Sequence, residues 1–329
     1  MGNINDGNLL VDVSSVADSF ARLSLGPSSA NRRWVIGNVL QPVLDTTHEC
    51  KFITENHDCF KPARRLRERW DIKAEPWDNF VRLLCGCLHF PFVLLQNPSN
   101  AHTQSFEQMR QCYTIDWVST MLDRIGLSLD EVSVLDICAL FSDEDLQKMD
   151  AERRSCAVED AYLLVEEMLM ILRPILIISC QCMTQGTWKS DGQEAWKRAG
   201  NDLARQLCSS IREARAHRAV AVDRGDLRIW IVRGFHPRRL HYEPSFSPVL
   251  TKLFHDVYDP CERWRRGRMT ADSGKLVNAE QVNSQTRSPF PTPLAAKHPI
   301  HQPANKDEDI EEQGMYKVRV ASGEDGRRG

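Results

Sequence analysis

Four short apolar runs, separated by stretches with helical spacing, constrain the fold of this chain more than any other feature. The runs lie at 92–95, 132–140, 175–178 and 227–232. An unbroken apolar run of this length is typical of a strand buried on both faces, as in a parallel sheet covered by helices. The alternation of such runs with helices predicts an α/β fold of three layers, α/β/α, around a central, mainly parallel sheet.

The stretches between the runs predict the covering helices. Apolar residues recur at helical spacing over 105–125, 157–172 and 196–215, and the residues 142–145 are typical of a helix start. A further short strand is predicted at 220–222. Ligands of such folds bind beyond the carboxyl ends of the strands, so we expect functional residues in the loops there.

Composition divides the chain of 329 residues into three zones. We expect a flexible N-terminus over 1–30, an α/β domain over 31–268 and a disordered polar tail over 269–329, because that tail has little apolar surface to bury. No apolar stretch approaches the roughly 18 residues of a membrane span, and the N-terminus lacks the basic and apolar segments of a secretory signal. We therefore expect an intracellular protein, nuclear or cytoplasmic, with no membrane partner.

Charge and cysteine content limit the partners and cofactors. Lysine and arginine total 42 against 45 acidic residues, and the net charge of −3 excludes a uniformly basic nucleic-acid coat. The 11 cysteines are odd in number and irregularly spaced, which is typical of reduced, structural thiols. We expect a monomer with no cofactor and no metal; an iron–sulfur cluster on distant cysteines is the open alternative.

Two loops that follow apolar runs resemble the uracil-DNA glycosylase superfamily, in particular its divergent, fungal-type members. Gln96-Asn97-Pro98-Ser99 is similar to the Gly-x-Asp/Asn-Pro loop after the first strand of that family, and Gly234-Phe235-His236-Pro237 is similar to its His-Pro-Ser loop. The resemblance covers roughly residues 80–260. It departs at Leu95, where the family has a glycine, and at Arg238, where it has a serine. It implies a four-stranded central sheet and hydrolysis of the N-glycosidic bond of a damaged or deaminated base.

The resemblance assigns one catalytic group to each loop. Hydrolysis of an N-glycosidic bond builds positive charge on the sugar and negative charge on the leaving base. Asn97 matches the asparagine whose amide carbonyl orients the attacking water, and His236 would donate a hydrogen bond to the leaving base as a neutral imidazole. The structural alternatives are an Asx turn at Asn97 and a histidine at 236 that bonds only nearby backbone.

The resemblance also implies that further residues near these loops bind the substrate. Asp136 takes the position where uracil-specific members present an asparagine to the base edge; alternatively, it bonds backbone amides at the end of the sheet. Arg238 and Arg239 would bind phosphates of the strand that holds the flipped base, or form a solvated pair. The predicted substrate-binding residues are Gln96, Pro98, Ser99, Asp136, Arg238 and Arg239.

Two basic clusters contain tryptophan, at residues 64–70 and 263–268. They predict phosphate binding with base stacking, and solvated helix faces are the alternative. The leading hypothesis is a DNA glycosylase-like hydrolase acting on single- or double-stranded DNA. The second is an inactive member of the same fold that binds nucleic acid or a nucleotide. A third is an unrelated α/β hydrolase with a nucleophile at Cys138, Cys180 or Cys182.

Overall fold

The computed structural model describes residues 29–181 and 202–284. Its strands are β1 Ser29–Asn31, β2 Phe92–Leu95, β3 Val134–Asp136, β4 Leu176–Ser179, β5 Arg218–Arg224 and β6 Leu227–Arg233. The first helices are α1 Arg32–Val35, which continues through a π-helical turn at Ile36–Leu40 into α2 Gln41–Thr46, then α3 Phe60–Trp70, α4 Ala74–Leu84, α5 Phe106–Met109 and α6 Tyr113–Ile125. The later helices are α7 Asp143–Lys148, α8 Ala151–Leu172, α9 Asp202–Leu207, α10 Ile211–Arg215, α11 Arg239–Tyr242 and α12 Ser247–Ser284. Short 3₁₀ turns lie at Asn100–Thr103, Leu129–Glu131 and Pro244–Phe246.

All six strands form one sheet, in the order β1-β5-β6-β4-β2-β3. β2 pairs in parallel with both β3 and β4, and β4 pairs in parallel with β6. β5 pairs antiparallel with both β6 and β1. The predicted α/β class is confirmed, and the four apolar runs are neighbours in this sheet.

The sheet is a mixed one of six strands, so the predicted number of four was wrong. β5 and β6 are joined by a two-residue turn in which Gly225 has a φ of +59°, which makes them an antiparallel hairpin. The short strand predicted at 220–222 is the middle of β5. β1 has only three residues, Ser-Ala-Asn, and no apolar pattern that would reveal it.

Different helices cover the two faces of the sheet. Along β2, Phe92 and Leu94 belong to an apolar core with residues of α3, α4 and α8. Val93 and Leu95 belong to a second core with residues of α6 and α12. Each strand of the centre is therefore buried on both faces.

The helix predicted over 157–172 is confirmed and begins earlier, at Ala151. Asp150 caps it by accepting a hydrogen bond from the Arg153 N–H at 2.8 Å. The helix predicted over 105–125 is two helices, α5 and α6, and Gly126 ends the second with a φ of +95°.

The last predicted helix, over 196–215, lies partly outside the described residues. In the described part, α9 and α10 are separate helices with residues 208–210 between them. The chain falls into two units, Met1–Val277 and Asn278–Gly329, and of the second the structure describes only 278–284. α12 extends beyond residue 268, the predicted end of the domain, whereas 1–28 and 285–329 lie outside the described residues. Within the described ranges, no helix is long and apolar enough to cross a membrane.

Candidate functional site

The loops that follow the parallel strands lie together at the carboxyl edge of the sheet. Asn97 follows β2 and His236 follows β6, with β4 between these strands. Backbone hydrogen bonds extend the pairing into the loops, from the Cys138 N–H to the Gln96 carbonyl at 2.9 Å and from the Gly234 N–H to the Ser179 carbonyl at 2.9 Å. The two predicted catalytic residues therefore lie at the same edge of the sheet.

The side-chain amide of Asn97 is oriented by the first residue of α7. Its Nδ2 donates to Asp143 Oδ1 at 3.0 Å and lies 3.4 Å from the Pro98 carbonyl. A carboxylate only accepts hydrogen bonds, so the amide nitrogen must face Asp143 and the carbonyl oxygen must face away from it. That oxygen forms no Asx turn with the described backbone, and it is the end that could orient a water.

The His236 ring is neutral and has a defined tautomer. Burial, together with the positive charge of Arg238, lowers its pKa to about 4. Nδ1 accepts a hydrogen bond from the Arg238 backbone N–H at 3.2 Å, so the ring proton is on Nε2. The ring thus bonds nearby backbone, as the structural alternative required, and also keeps Nε2–H as a donor.

Asp136, the last residue of β3, has a buried carboxyl group. Its Oδ1 has no hydrogen-bond partner among the described residues, which disagrees with the alternative of a carboxylate bonded to backbone amides. Burial raises the pKa of Asp136 to about 7. At neutral pH this carboxyl is therefore part protonated and can donate as well as accept a hydrogen bond.

The departure at Leu95 is accommodated by packing. Leu95 is buried in the core with α6 and α12, and it pairs in register with Asp136. Its side chain therefore fills the core beneath the loop.

Other polar groups at this edge are also buried and unpaired. Among the described residues, Oε1 of Gln96 and Oγ of Ser99, both predicted site residues, have no hydrogen-bond partner. The side-chain amide of Gln181, two residues after β4, also has none among them. Sequence analysis missed Gln181, and its place just beyond an apolar run was the available signal. Pro98 lies in the same loop and is half-buried.

The arginines after His236 are both exposed but differ in their contacts. Arg239 forms an ion pair with Glu243, one turn later in the chain. The Arg238 guanidinium has no hydrogen bond or ion pair with any described residue. Of the predicted pair, Arg238 is the one available to a phosphate.

His102 and Asp145 hold the β2 loop against α7, and no sequence pattern marked this pair. His102 Nε2 lies 3.0 Å from Asp145 Oδ2, which also accepts from the Ser142 hydroxyl at 2.7 Å. Burial would raise the pKa of Asp145, but the hydrogen bonds from His102 and Ser142 outweigh it and lower that pKa. The pair therefore positions the segment that contains Asn97.

The first basic cluster, residues 64–70, is joined to α8. Arg65 pairs with Glu167 at 2.7 Å, and Asp160 accepts from both Arg69, at 2.9 Å, and the Trp70 indole, at 2.7 Å. These contacts favour the structural alternative, a charged helix face.

The second basic cluster, residues 263–268, lies at the amino edge of the sheet. Arg265 pairs at 3.0 Å with Glu131, which precedes β3, and the Trp264 indole donates to the Thr47 carbonyl at 3.1 Å. Arg263 is exposed and has no partner among the described residues. The contacts of this second cluster thus lie at the amino edge, whereas Trp70 of the first cluster contacts Phe141, which follows β3, with ring centroids 5.5 Å apart.

The cysteines proposed as nucleophiles give little support to the third hypothesis. Cys138 and Cys180 are buried, burial raises the pKa of Cys138, and Cys182 lies outside the described residues. Hydrogen bonds with Cys50 and His89 lower the pKa of Cys87 below its ordinary value. Cys87 is fully buried and precedes β2, at the amino edge.

Two open cavities are lined by none of the predicted catalytic or substrate-binding residues. One, of about 510 Å³, is lined by residues of α3 and α4 and by 104–106, and the other, of about 500 Å³, is lined by α10 and the start of β5. In the part of the chain that the structure describes, no group of three or more His, Cys, Asp or Glu side chains is arranged to hold a metal ion. No family model matches the chain, and no curated protein sequence matches it.

Proposed function

We propose that this protein is a DNA glycosylase-like hydrolase with a uracil-DNA glycosylase-like fold. It would hydrolyse the N-glycosidic bond of a damaged or deaminated base in DNA. The observation that supports this most is that an oriented amide, Asn97, and a neutral imidazole, His236, lie on loops at one edge of the sheet. We further propose that it acts as a monomer inside the cell, in the nucleus or cytoplasm.

The two groups serve opposite ends of the bond that breaks. The Asn97 carbonyl accepts a hydrogen bond from water and directs its oxygen to the sugar carbon, while His236 Nε2–H donates to the base as negative charge develops there. An amide orients water but is a poor base, so turnover would be slow. The neutral imidazole suffices because the leaving base needs a donor and not a formal cation.

Asp136 gives the proposed site a means of reading the base edge. A buried carboxyl with a pKa of about 7 presents an acceptor when ionised and a donor when protonated. A base edge with a complementary donor or acceptor would supply the partner that Oδ1 lacks.

The second candidate is a catalytically inactive member of the same fold that binds nucleic acid or a nucleotide. The observation that favours it is the position of the two open cavities, neither of which is lined by Asn97, Asp136 or His236. A glycosylase must hold its flipped base against these residues.

The test is an assay on single- and double-stranded oligonucleotides that contain uracil, mismatched thymine or deaminated purines. For a substrate that is cleaved, Asn97→Ala and His236→Ala should each lower kcat by about 100- to 1,000-fold, or about 2.7–4 kcal/mol, with little change in DNA affinity. Arg263→Gln, at the amino edge, is the matched control and should be fully active. Full activity in both folded alanine variants would contradict the assignment, and wild-type protein that binds but cleaves none of the substrates would favour the inactive alternative.

A further inference from the structure

Three exposed aromatic side chains form a ladder beside the His236 loop. The ring of Tyr113, at the start of α6, contacts His241 edge-to-face with centroids 5.5 Å apart, and His241 contacts Tyr242 with centroids 5.1 Å apart. Tyr242 is 63% exposed and Tyr113 is 42% exposed. Large aromatic surfaces are thus open to solvent at a place where three rings already lie together.

The ladder is fixed to the loop of the proposed site. Backbone hydrogen bonds join the Arg239 N–H to the His236 carbonyl at 3.0 Å and the Leu240 N–H to the Pro237 carbonyl at 2.8 Å, so α11 begins directly at the loop. Leu240 is buried and anchors this helix, whereas His241 and Tyr242 project from it into solvent. A polymer that placed one residue at His236 would pass these rings.

The arginine beside the ladder that is unpaired among the described residues is suited to a nucleic-acid strand that makes few phosphate contacts. Arg238 is exposed and makes no hydrogen bond or ion pair with a described residue, while Arg239 is already paired with Glu243. The arginines at 65 and 69 are paired with acids of α8, and the cluster at 263–268 lies at the opposite edge. One free guanidinium and several open aromatic faces therefore form the binding surface.

We propose that the Tyr113–His241–Tyr242 ladder, with Arg238, is a stacking site for unpaired bases of a single-stranded nucleic acid. Aromatic rings stack on bases that are not already stacked in a duplex, and a single strand needs fewer cations than two strands do. The proposal rests on the proposed function for the identity of the polymer, and it specifies that the substrate strand is single-stranded beside the reacting base.

The test is fluorescence anisotropy with a labelled, single-stranded thymidine oligonucleotide and with a duplex of the same length. The wild-type protein should bind the single strand more tightly than the duplex. Tyr242→Ala and Tyr113→Ala should each weaken single-strand binding by about 5- to 150-fold, the usual effect of losing one base–aromatic stack. Tyr242→Phe should retain affinity because it keeps the ring.

Matched controls come from the amino edge. Phe52→Ala removes another exposed aromatic ring, 50% exposed and bridged to Cys87 before β2, and should leave affinity unchanged. Arg238→Gln should flatten the dependence of log affinity on log salt by about 0.7, the value for one phosphate of a single strand. Arg263→Gln should leave this slope as it is. The proposal would be overturned if Arg238→Gln left a steep salt dependence of affinity unchanged. It would also be overturned if Phe52→Ala lost as much affinity as the tyrosine variants do.

The outcomes separate this proposal from the proposed function, because a thymidine oligonucleotide contains no damaged base. Binding that depends on the ladder, in a protein that cleaves nothing, would uphold the stacking site and overturn the hydrolase. Cleavage that depends on Asn97 and His236, with single-strand binding unchanged in both tyrosine variants, would uphold the hydrolase and overturn the stacking site. Absence of single-strand binding at low salt, or a preference for the duplex, would overturn the stacking site.

Discussion

One acidic residue precedes β3 and another ends it, and the two differ in their hydrogen bonds. Glu131, at the amino edge, accepts hydrogen bonds from the Ser128 N–H at 2.8 Å and from Arg265 at 3.0 Å. Asp136, at the carboxyl edge five residues later, is more deeply buried and its Oδ1 has no partner among the described residues. A buried polar group without a partner costs stability, and such groups are common where a protein binds something.

The contrast extends to the arginines of the two edges. At the amino edge Arg265 and Arg266 are each paired with a glutamate. At the carboxyl edge Arg238 is free of described partners. The Arg265–Glu131 pair joins α12 to the turn before β3, whereas the Arg266–Glu262 pair lies within α12. At the carboxyl edge, the buried Oδ1 of Asp136 and the exposed guanidinium of Arg238 have no described partner, which is what a binding surface requires.

The largest expected effect on stability comes from Asp136→Asn. The folded pKa of about 7 is raised above the ordinary 3.8, so the contribution of this carboxyl to stability is complete below the unfolded pKa and is lost as the pH rises through about 7. At pH 8 the buried carboxylate costs about 4 kcal/mol. Urea unfolding should therefore show the asparagine variant to be more stable than wild type at pH 8, by up to this amount, and nearly equal to it at pH 4. Equal destabilisation at both pH values would mean that the carboxyl is paired, and would remove the contrast with Glu131.

A smaller effect, of opposite sign, is expected for Glu131→Ala. This change removes a carboxylate that accepts charged and neutral hydrogen bonds, and it leaves part of the Arg265 guanidinium unpaired. The free energy of unfolding should fall by about 1.5–3 kcal/mol at pH 7. Glu159→Ala, on the exposed face of α8, is the control and should change it by less than about 0.5 kcal/mol. A Glu131 variant as stable as the control would show that the amino edge does not depend on its ion pairs.

Local pattern was sufficient to predict the central strands, and it failed where a partner is distant in sequence. The runs at 92–95 and 227–232 were predictable because both faces of these strands are buried, which leaves an unbroken apolar segment. β1 has no such pattern and is a strand only because β5 pairs with it.

The same limit applies to the candidate site. The loops of Asn97 and His236 could be found from their position after apolar runs. That Asn97 is oriented by Asp143, 46 residues later, depends on how β3 and α7 pack against the loop, and the sequence contains no local sign of it. The pairing of Arg65 is equally non-local, since its partner is 102 residues away.

The smallest effect is expected for Arg65→Gln, and it sharpens the comparison because Arg65 is the paired counterpart of Arg238. Its ion pair with Glu167 joins two exposed side chains, 64% and 50% exposed, and such pairs contribute about 0–1 kcal/mol to the free energy of unfolding. Its charge lies on α3 and is paired with a glutamate of α8. Arg65→Gln should therefore lower stability by no more than about 1 kcal/mol, and it should leave both the affinity for a single strand and its salt dependence unchanged. Anisotropy titrations over a range of salt, with Arg238→Gln measured in parallel, check this. If the Arg65 variant lost affinity as the Arg238 variant does, the nucleic acid would extend over α3, and the paired cluster would belong to the binding surface.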